Sequence, residues 1–144
     1  MSLVDAPHLF RLSNDLNEVP ALRDLFARAC GDAGVAEEEM QKGMLLLTEL
    51  LNNSIEHGCK SPSDCVEGWY RITSSEIVVE VTDPGEVLTA QDFKDSDPAD
   101  FAETGRGAGM FLVQALSDEL DVSRAAAGGT TVRILMRRGQ AAAS

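Results

Sequence analysis

Residues 48–58, with the sequence TELLNNSIEHG, constrain this chain more than any other segment. They place Glu49, Asn53 and His57 four residues apart, so the three side chains share one face of a helix. The neighbouring leucines make this helix apolar nearly all round, and a carboxylate beside a carboxamide at the edge of a core needs a partner. A metal ion surrounded by phosphate oxygens is a partner of that kind. A solvated helix face is the alternative, and His57 in the last turn also complements the helix dipole without any ligand.

An Asp-Pro-Gly sequence at residues 83–85 ends the β-like run IVVEVT. Asp83 is a candidate acceptor for the exocyclic amine of a base, and Gly85 would let a purine approach the backbone. The alternative is an ordinary β-turn, which these residues favour on their own.

A glycine-rich segment, TGRGAGM, opens a predicted helix at about residue 107. A dinucleotide-binding fold needs a strand directly before these glycines, whereas an acidic connection precedes them here. The Gly-Lys-Ser/Thr of a Walker loop is absent as well. The segment is therefore either a general anion cradle at a helix N-terminus or simply a helix start. Together the three segments predict a nucleotide site.

The composition predicts one soluble domain over residues 1–138, followed by a disordered tail over residues 139–144. Hydrophobic residues make up 44% of the 144 and charged residues 25%, which is typical of globular proteins. We expect no membrane span and no secretion signal, and hence a cytoplasmic protein. The net charge of −12 disfavours nucleic acid as a direct partner.

The 3 cysteines lack C-x-x-C spacing, so we expect reduced thiols. A structural zinc site is not expected, although Cys59 lies two residues after His57, because no second pair of ligands completes it.

The order of predicted elements is β-α-α-β-β-loop-α-β-β, an α+β two-layer sandwich with a mixed, mainly antiparallel sheet and helices on one face. Strands are predicted at residues 8–12, 69–73, 77–82, 120–123 and 131–137. The first helix has Asn17 as its N-cap, the second covers residues 37–57, and the third begins near Gly107. Loops are predicted at residues 61–68 and 88–103. The predicted core positions of the first two helices are Leu22, Leu25, Phe26, Ala29, Met40, Met44, Leu47, Leu51 and Ile55.

The motifs occur in a fixed order: E-x-x-x-N on a helix, D-x-G after a strand, G-x-G-x-G into a helix, and GTT before the last strand. Over residues 37–136 this order resembles the GHKL ATP-binding fold of histidine kinases, Hsp90, type II topoisomerases and MutL. The short chain and the form ELLNNSIEHG most resemble the bacterial anti-sigma-factor serine kinases.

The resemblance implies ATP and Mg²⁺ as ligands and a role for each matching residue. Glu49 matches the catalytic glutamate that orients a nucleophile or acts as general base, and Asn53 matches the Mg²⁺ ligand. Asp83 matches the aspartate that binds the adenine amino group. The other nucleotide-binding candidates are Gly85, Gly105, Gly107 and Gly109, together with Thr130 near the adenine, and Arg106 and His57 as polar side chains beside the motifs. Residues 88–104 match the ATP lid, and DPGEV lacks the second glycine of the D-x-G-x-G box.

The resemblance also implies protein partners: a sigma factor or other regulator, an anti-anti-sigma (STAS-type) protein with an acceptor serine, and a second copy in a homodimer. One alternative is a non-catalytic module in which bound ATP orders a partner-binding surface. Another is a two-component phosphotransfer domain that has lost ATP, which the intact Asp83 and glycines disfavour.

Overall fold

The computed structural model describes residues 6–85, 87–97 and 108–139. Its strands are β1 (His8–Ser13), β2 (Cys65–Ile72), β3 (Glu76–Asp83), β4 (Glu119–Arg124) and β5 (Thr130–Arg137). Its helices are α1 (Val19–Asp32), α2 (Glu37–Asn53), α3 (Ala90–Lys94) and α4 (Ala108–Leu116). A 3₁₀ turn (Leu16–Glu18) precedes α1, and a π turn (Ser54–Gly58) continues α2.

The strands form one five-stranded sheet in the order β1-β2-β3-β5-β4, and every neighbouring pair is antiparallel. This confirms the α+β class and the mainly antiparallel sheet. The central pair, β3 with β5, ends with Asp83 directly opposite Thr130. The first residue of one strand and the last of its partner thus meet at one end of the sheet, where the candidate site lies.

The two faces of the sheet differ as the period-2 alternation predicts. On the inner face, Val79 and Ile134 pair across β3 and β5 and are fully buried in the core beneath the helices. On the outer face, Glu80 accepts hydrogen bonds from Trp69 Nε1 at 2.8 Å and Arg133 Nη2 at 2.7 Å. The helices that the structure describes therefore pack on one face, and the opposite face carries a polar network.

The burial of the first two helices confirms part of the predicted core, namely Leu22, Phe26, Leu47, Leu51 and Ile55. Leu25 is 54% exposed, so its assignment to the core is wrong, whereas Cys30 is fully buried. Met40 and Met44 are only partly buried at the edge of the core. The fully or almost fully buried positions of α2 are Leu46, Leu47, Leu50 and Leu51. Because α2 contacts α1 on one side and α4 on the other, its buried face is wider than a single stripe and is rotated from the predicted one.

Several predicted boundaries are wrong, each for a local reason. Asn17 is not the N-cap, because Asp15 Oδ1 accepts the Asn17 N–H at 2.9 Å and caps the 3₁₀ turn. Strand β2 begins at Cys65, inside the predicted loop over residues 61–68. The predicted loop over residues 88–103 contains α3, which starts with a capping box formed by Thr89 and Asp92.

The second helix is α-helical only to Asn53 and does not run to His57 as an α-helix. Gly105, Arg106 and Gly107 lie outside the described residues, as do residues 140–144 of the predicted tail. The predicted domain limits therefore stay a prediction. In the part of the chain that the structure describes, no helix is long and apolar enough to cross a membrane.

Candidate functional site

Asp83, the last residue of β3, is the buried acid at the centre of the site, with 7% of its surface exposed. Its Oδ1 accepts the Gly85 N–H at 2.9 Å. Burial raises the pKa of Asp83, while the Gly85 N–H and the Ser54 hydroxyl lower it. A carboxylate is therefore held in a fixed orientation at the end of the sheet, at some cost in desolvation.

Three glycines surround Asp83 where larger residues would not fit. A Cβ on Gly58 would overlap the Asp83 carboxylate, and a Cβ on Gly85 would lie 2.8 Å from the Gly58 carbonyl carbon. Gly129 has φ +90, and a Cβ there would lie 2.7 Å from Pro84 Cα. The π turn, the turn after β3 and the start of β5 thus meet backbone to backbone. Backbone atoms of these three segments therefore lie directly against Asp83.

Thr130 lies beside Asp83 on the neighbouring strand and is 1% exposed. Its Oγ1 accepts the Leu88 N–H at 2.8 Å. This hydrogen bond joins the first residue of the predicted lid to the sheet. Thr130 therefore connects the start of the predicted lid with the strand end that carries the acid.

Glu49 and Gly109 meet where α2 packs against α4. A Cβ on Gly109 would lie 2.6 Å from Glu49 Oε2, so only glycine lets the two come this close without a shift. Burial raises the pKa of Glu49, and the negative charge of Glu56 raises it further. The half-buried carboxylate is therefore a stronger base than an exposed one.

Asn53, the last residue of α2, lies one helical turn after Glu49, and both are half-buried. The π turn that follows is wider than an α-helical turn, a distortion that is frequent at functional sites. His57 lies in this turn, and its place on the same face as Glu49 and Asn53 stays a prediction. His57 Nε2 lies 3.8 Å from Glu56 Oε2.

The predicted residues therefore fall into two groups. Asp83, Gly85 and Thr130 form one group at the sheet end. Glu49, Asn53 and Gly109 form the other, between α2 and α4. The π turn joins them, because it follows Asn53 in the chain and its last residue, Gly58, lies against the Asp83 carboxylate.

Sequence reasoning missed the roles of Gly58 and Gly129. Gly58 ends the motif ELLNNSIEHG and Gly129 begins GTT, but neither glycine was among the candidate site residues. The available signal was their place in these motifs.

The described residues contain no group of three or more His, Cys, Asp or Glu that could hold a metal ion. A dedicated protein cage is thus not found in this part of the chain. Mg²⁺ does not require one, since it keeps several waters and binds through one or two protein ligands plus phosphates. Asn53, which supplies one carboxamide oxygen, fits that second arrangement, and the Asp83 carboxylate fits an amino group as its ligand.

Comparison with known proteins gives one family match and several relatives. The profile of the histidine kinase-like ATPase domain matches residues 12–136. The serine-protein kinase RsbW of Staphylococcus epidermidis is 22% identical over 134 residues, which cover 87% of this chain and 82% of that protein.

Two solved structures share the fold at low identity. The SiaB–SiaC complex from Pseudomonas aeruginosa contains a chain with a TM-score of 0.71 and 11% identity, covering 90% of this chain and 88% of that one. The RsbU and RsbW domains of Rv1364c from Mycobacterium tuberculosis give a TM-score of 0.64 and 18% identity, covering 92% of this chain and 32% of that one.

Proposed function

The chain belongs to the histidine kinase-like ATPase domain family, as its motifs predicted, and from this premise we propose that it is an ATP-dependent protein-serine kinase. The family implies ATP binding, and the similarity to a serine-protein kinase suggests that a serine hydroxyl of a protein accepts the phosphoryl group. One observation supports transfer over binding alone: Glu49 is a half-buried base of raised pKa, one helical turn from Asn53. A module that only binds nucleotide has no need of such a base.

In this proposal the residues around Asp83 bind the base of ATP. The Asp83 carboxylate accepts the adenine amino group, and the backbone at Gly85 allows the ring to approach. Thr130 lies near the adenine and anchors the start of the lid through Leu88. Asn53 would hold Mg²⁺, which supplies neutralisation of the phosphate charge.

Glu49 acts on the acceptor serine. The serine Oγ forms a bond with the γ-phosphorus, and the bond from that phosphorus to the β–γ bridging oxygen breaks. ADP leaves with the electron pair, and the serine proton passes to the Glu49 carboxylate. Because phosphoryl transfer demands mainly positioning and charge neutralisation, one base and a fixed nucleotide are sufficient chemistry for this site.

We propose an anti-anti-sigma (STAS-type) protein as the phosphate acceptor and a sigma factor as the alternative partner. The similarity to RsbW supports this choice, and the net charge of −12 argues against direct binding to nucleic acid. A homodimer and a cytoplasmic location remain predictions of the sequence.

The test combines ATP binding with phosphoryl transfer. Calorimetric titration measures ATP affinity with and without Mg²⁺, and γ-labelled ATP measures transfer to purified STAS-type proteins of the source genome. We expect Glu49→Gln to lower transfer by about 100-fold or more while ATP affinity stays within about threefold. Asn53→Ala should weaken the Mg²⁺-dependent part of binding and transfer together. Glu38→Gln, an exposed acid in the first turn of the same helix, is the matched control and should change neither.

The outcomes separate the candidate functions. Mg²⁺-dependent ATP binding without phosphoryl transfer to any STAS-type protein would reject the kinase function and support the non-catalytic ATP-binding module. No binding at millimolar ATP would reject both.

A further inference from the structure

We propose that Thr130 is a positioning residue for residues 88–94, the first part of the predicted lid. Its buried hydroxyl fixes this segment against the end of the sheet, so the segment is a wall of the candidate site that is built before any nucleotide binds. The inference deepens the proposed function, from which it takes the nucleotide that the wall would face. It does not depend on phosphoryl transfer.

The first support is the hydrogen bond between Thr130 and Leu88. Thr130 begins β5 opposite Asp83, and it is 1% exposed. Its Oγ1 accepts the Leu88 N–H at 2.8 Å. Without this hydroxyl, the docked segment would leave the Leu88 N–H without its acceptor, which costs free energy. The segment should then open more often.

The second support is the way in which helix α3 begins. Thr89 is its N-cap, so Leu88 and Phe93 occupy the N′ and N4 positions that a hydrophobic staple joins. Phe93 is 1% exposed, and Leu88 packs against the same core cluster. Between them, Asp92 Oδ2 accepts the Thr89 N–H at 2.7 Å in the capping box. A staple and a capping box fix the angle at which a chain enters a helix, so the anchor at Leu88 also sets the position of Phe93.

The third support is what surrounds α3. A helix of 5 residues is too short to be stable by itself, so its order depends on tertiary contacts. It packs against α4 and β4, and α4 carries Gly109 against Glu49. To open, residues 88–94 would have to withdraw Phe93 from the core and break the hydrogen bond to Thr130. Such openings are rare, which excludes these residues from a closing movement around the nucleotide.

The test is amide hydrogen exchange, followed residue by residue by NMR in the nucleotide-free protein. In the wild type, we expect the Leu88 amide to exchange at least about 100-fold more slowly than an unstructured amide. Thr130→Val keeps the shape of the side chain and removes the acceptor. It should speed exchange about tenfold or more at Leu88, and also at Asp95, whose N–H donates to the Gln91 carbonyl at 2.8 Å at the end of α3. Thr130→Ser keeps the hydroxyl and should restore both rates to within about threefold of the wild type.

Thr131→Val is the matched control, because it removes the hydroxyl of the next residue on the opposite face of β5. That hydroxyl is hydrogen-bonded to Thr82 Oγ1 at 2.8 Å, and its loss should leave exchange at Leu88 unchanged. Urea unfolding of each variant separates local opening from unfolding of the whole chain. Should Thr130→Val not fold, Thr130→Ala takes its place.

Three results would overturn the proposal: an unprotected Leu88 amide in the nucleotide-free wild type, equal rates in the wild type and Thr130→Val, or a change confined to Leu88. The last would leave Thr130 with a single local bond and no influence on α3. Because no nucleotide is present in these measurements, their outcome is separate from ATP binding, whose absence would reject the proposed function alone.

Discussion

Substitution of Gly129 by alanine offers a sharp test of the backbone arrangement around Asp83, because Gly128 provides a matched control. Both glycines have positive φ, 96 at Gly128 and 90 at Gly129. A Cβ on Gly128 would meet nothing within 4 Å, whereas a Cβ on Gly129 would overlap the backbone of Asp83 and Pro84. The two variants therefore share the conformational strain, and only one adds the collision.

The magnitudes follow from these two terms. A non-glycine residue in the left-handed region costs about 1–2 kcal/mol, so Gly128→Ala should lower the free energy of unfolding by that amount. Gly129→Ala adds a backbone collision that no flexible side chain can relieve, and we expect a total loss of about 4 kcal/mol or more. For a domain of this size, about 2–4 °C in Tm corresponds to each kcal/mol. The difference between the two variants, about 2 kcal/mol or more, should therefore be at least about 4 °C in Tm.

The assay is urea and thermal unfolding of the wild type and both variants, together with ATP titration of those that fold. Because the collision involves the Asp83 backbone, ATP affinity should fall in Gly129→Ala beyond what its stability explains. Gly128→Ala should keep the affinity of the wild type. Equal losses of stability in the two variants would refute the close approach that we describe around Asp83.

Three further changes test other parts of the site. Gly109→Ala should leave the free energy of unfolding unchanged or raise it by up to about 1 kcal/mol, because alanine favours the helix and the Glu49 side chain can move. The displaced Glu49 carboxylate should nevertheless slow phosphoryl transfer at least tenfold in the labelled-ATP assay. The pKa of Asp83 is raised above 3.8 in the folded state, so the folded state binds the carboxyl proton more tightly than the unfolded state does. Stability therefore falls as the pH rises from the pKa of Asp83 in the unfolded state to its pKa in the folded state. Asp83→Asn should remove that fall, giving a protein at least as stable at pH 7 that no longer binds ATP, as urea unfolding and calorimetry would measure. Thr89→Ala removes one half of the capping box with Asp92 and should weaken α3 by about 1 kcal/mol, seen as faster amide exchange over Ala90–Lys94 alone.

The sheet could be predicted from the sequence because each strand carries a strong local signal. The alternation in β3 and β5 places Val79 and Ile134 inside and Glu80 and Arg133 outside, as a half-buried antiparallel sheet requires. The buried faces of the helices were harder to predict from the sequence. The exposure of Leu25 depends on which neighbours α1 meets, and a 3.6-residue period does not contain that information.

Short elements were missed where composition hides them. Helix α3 lies in an acidic segment without an apolar period, and it buries one large side chain, Phe93, which is 1% exposed. The signal was present as Thr89 and Asp92 in capping-box spacing, but three residues of spacing within an acidic run do not distinguish a helix from a solvated loop.

The site itself shows why motifs locate residues more readily than they explain them. Glu49 and Asn53 are recognisable because a helix fixes their spacing, and Asp83 because it ends a strand. The residues that hold Asp83 come instead from three segments distant in sequence, and two of them, Gly58 and Gly129, contribute by having no side chain. Whether residue 58 reaches the acid depends on a π turn, and one extra residue in a turn leaves no mark on apolar periodicity. The position of Gly58 is thus a property of the folded backbone, and its close approach to Asp83 can be inferred only once that backbone is known.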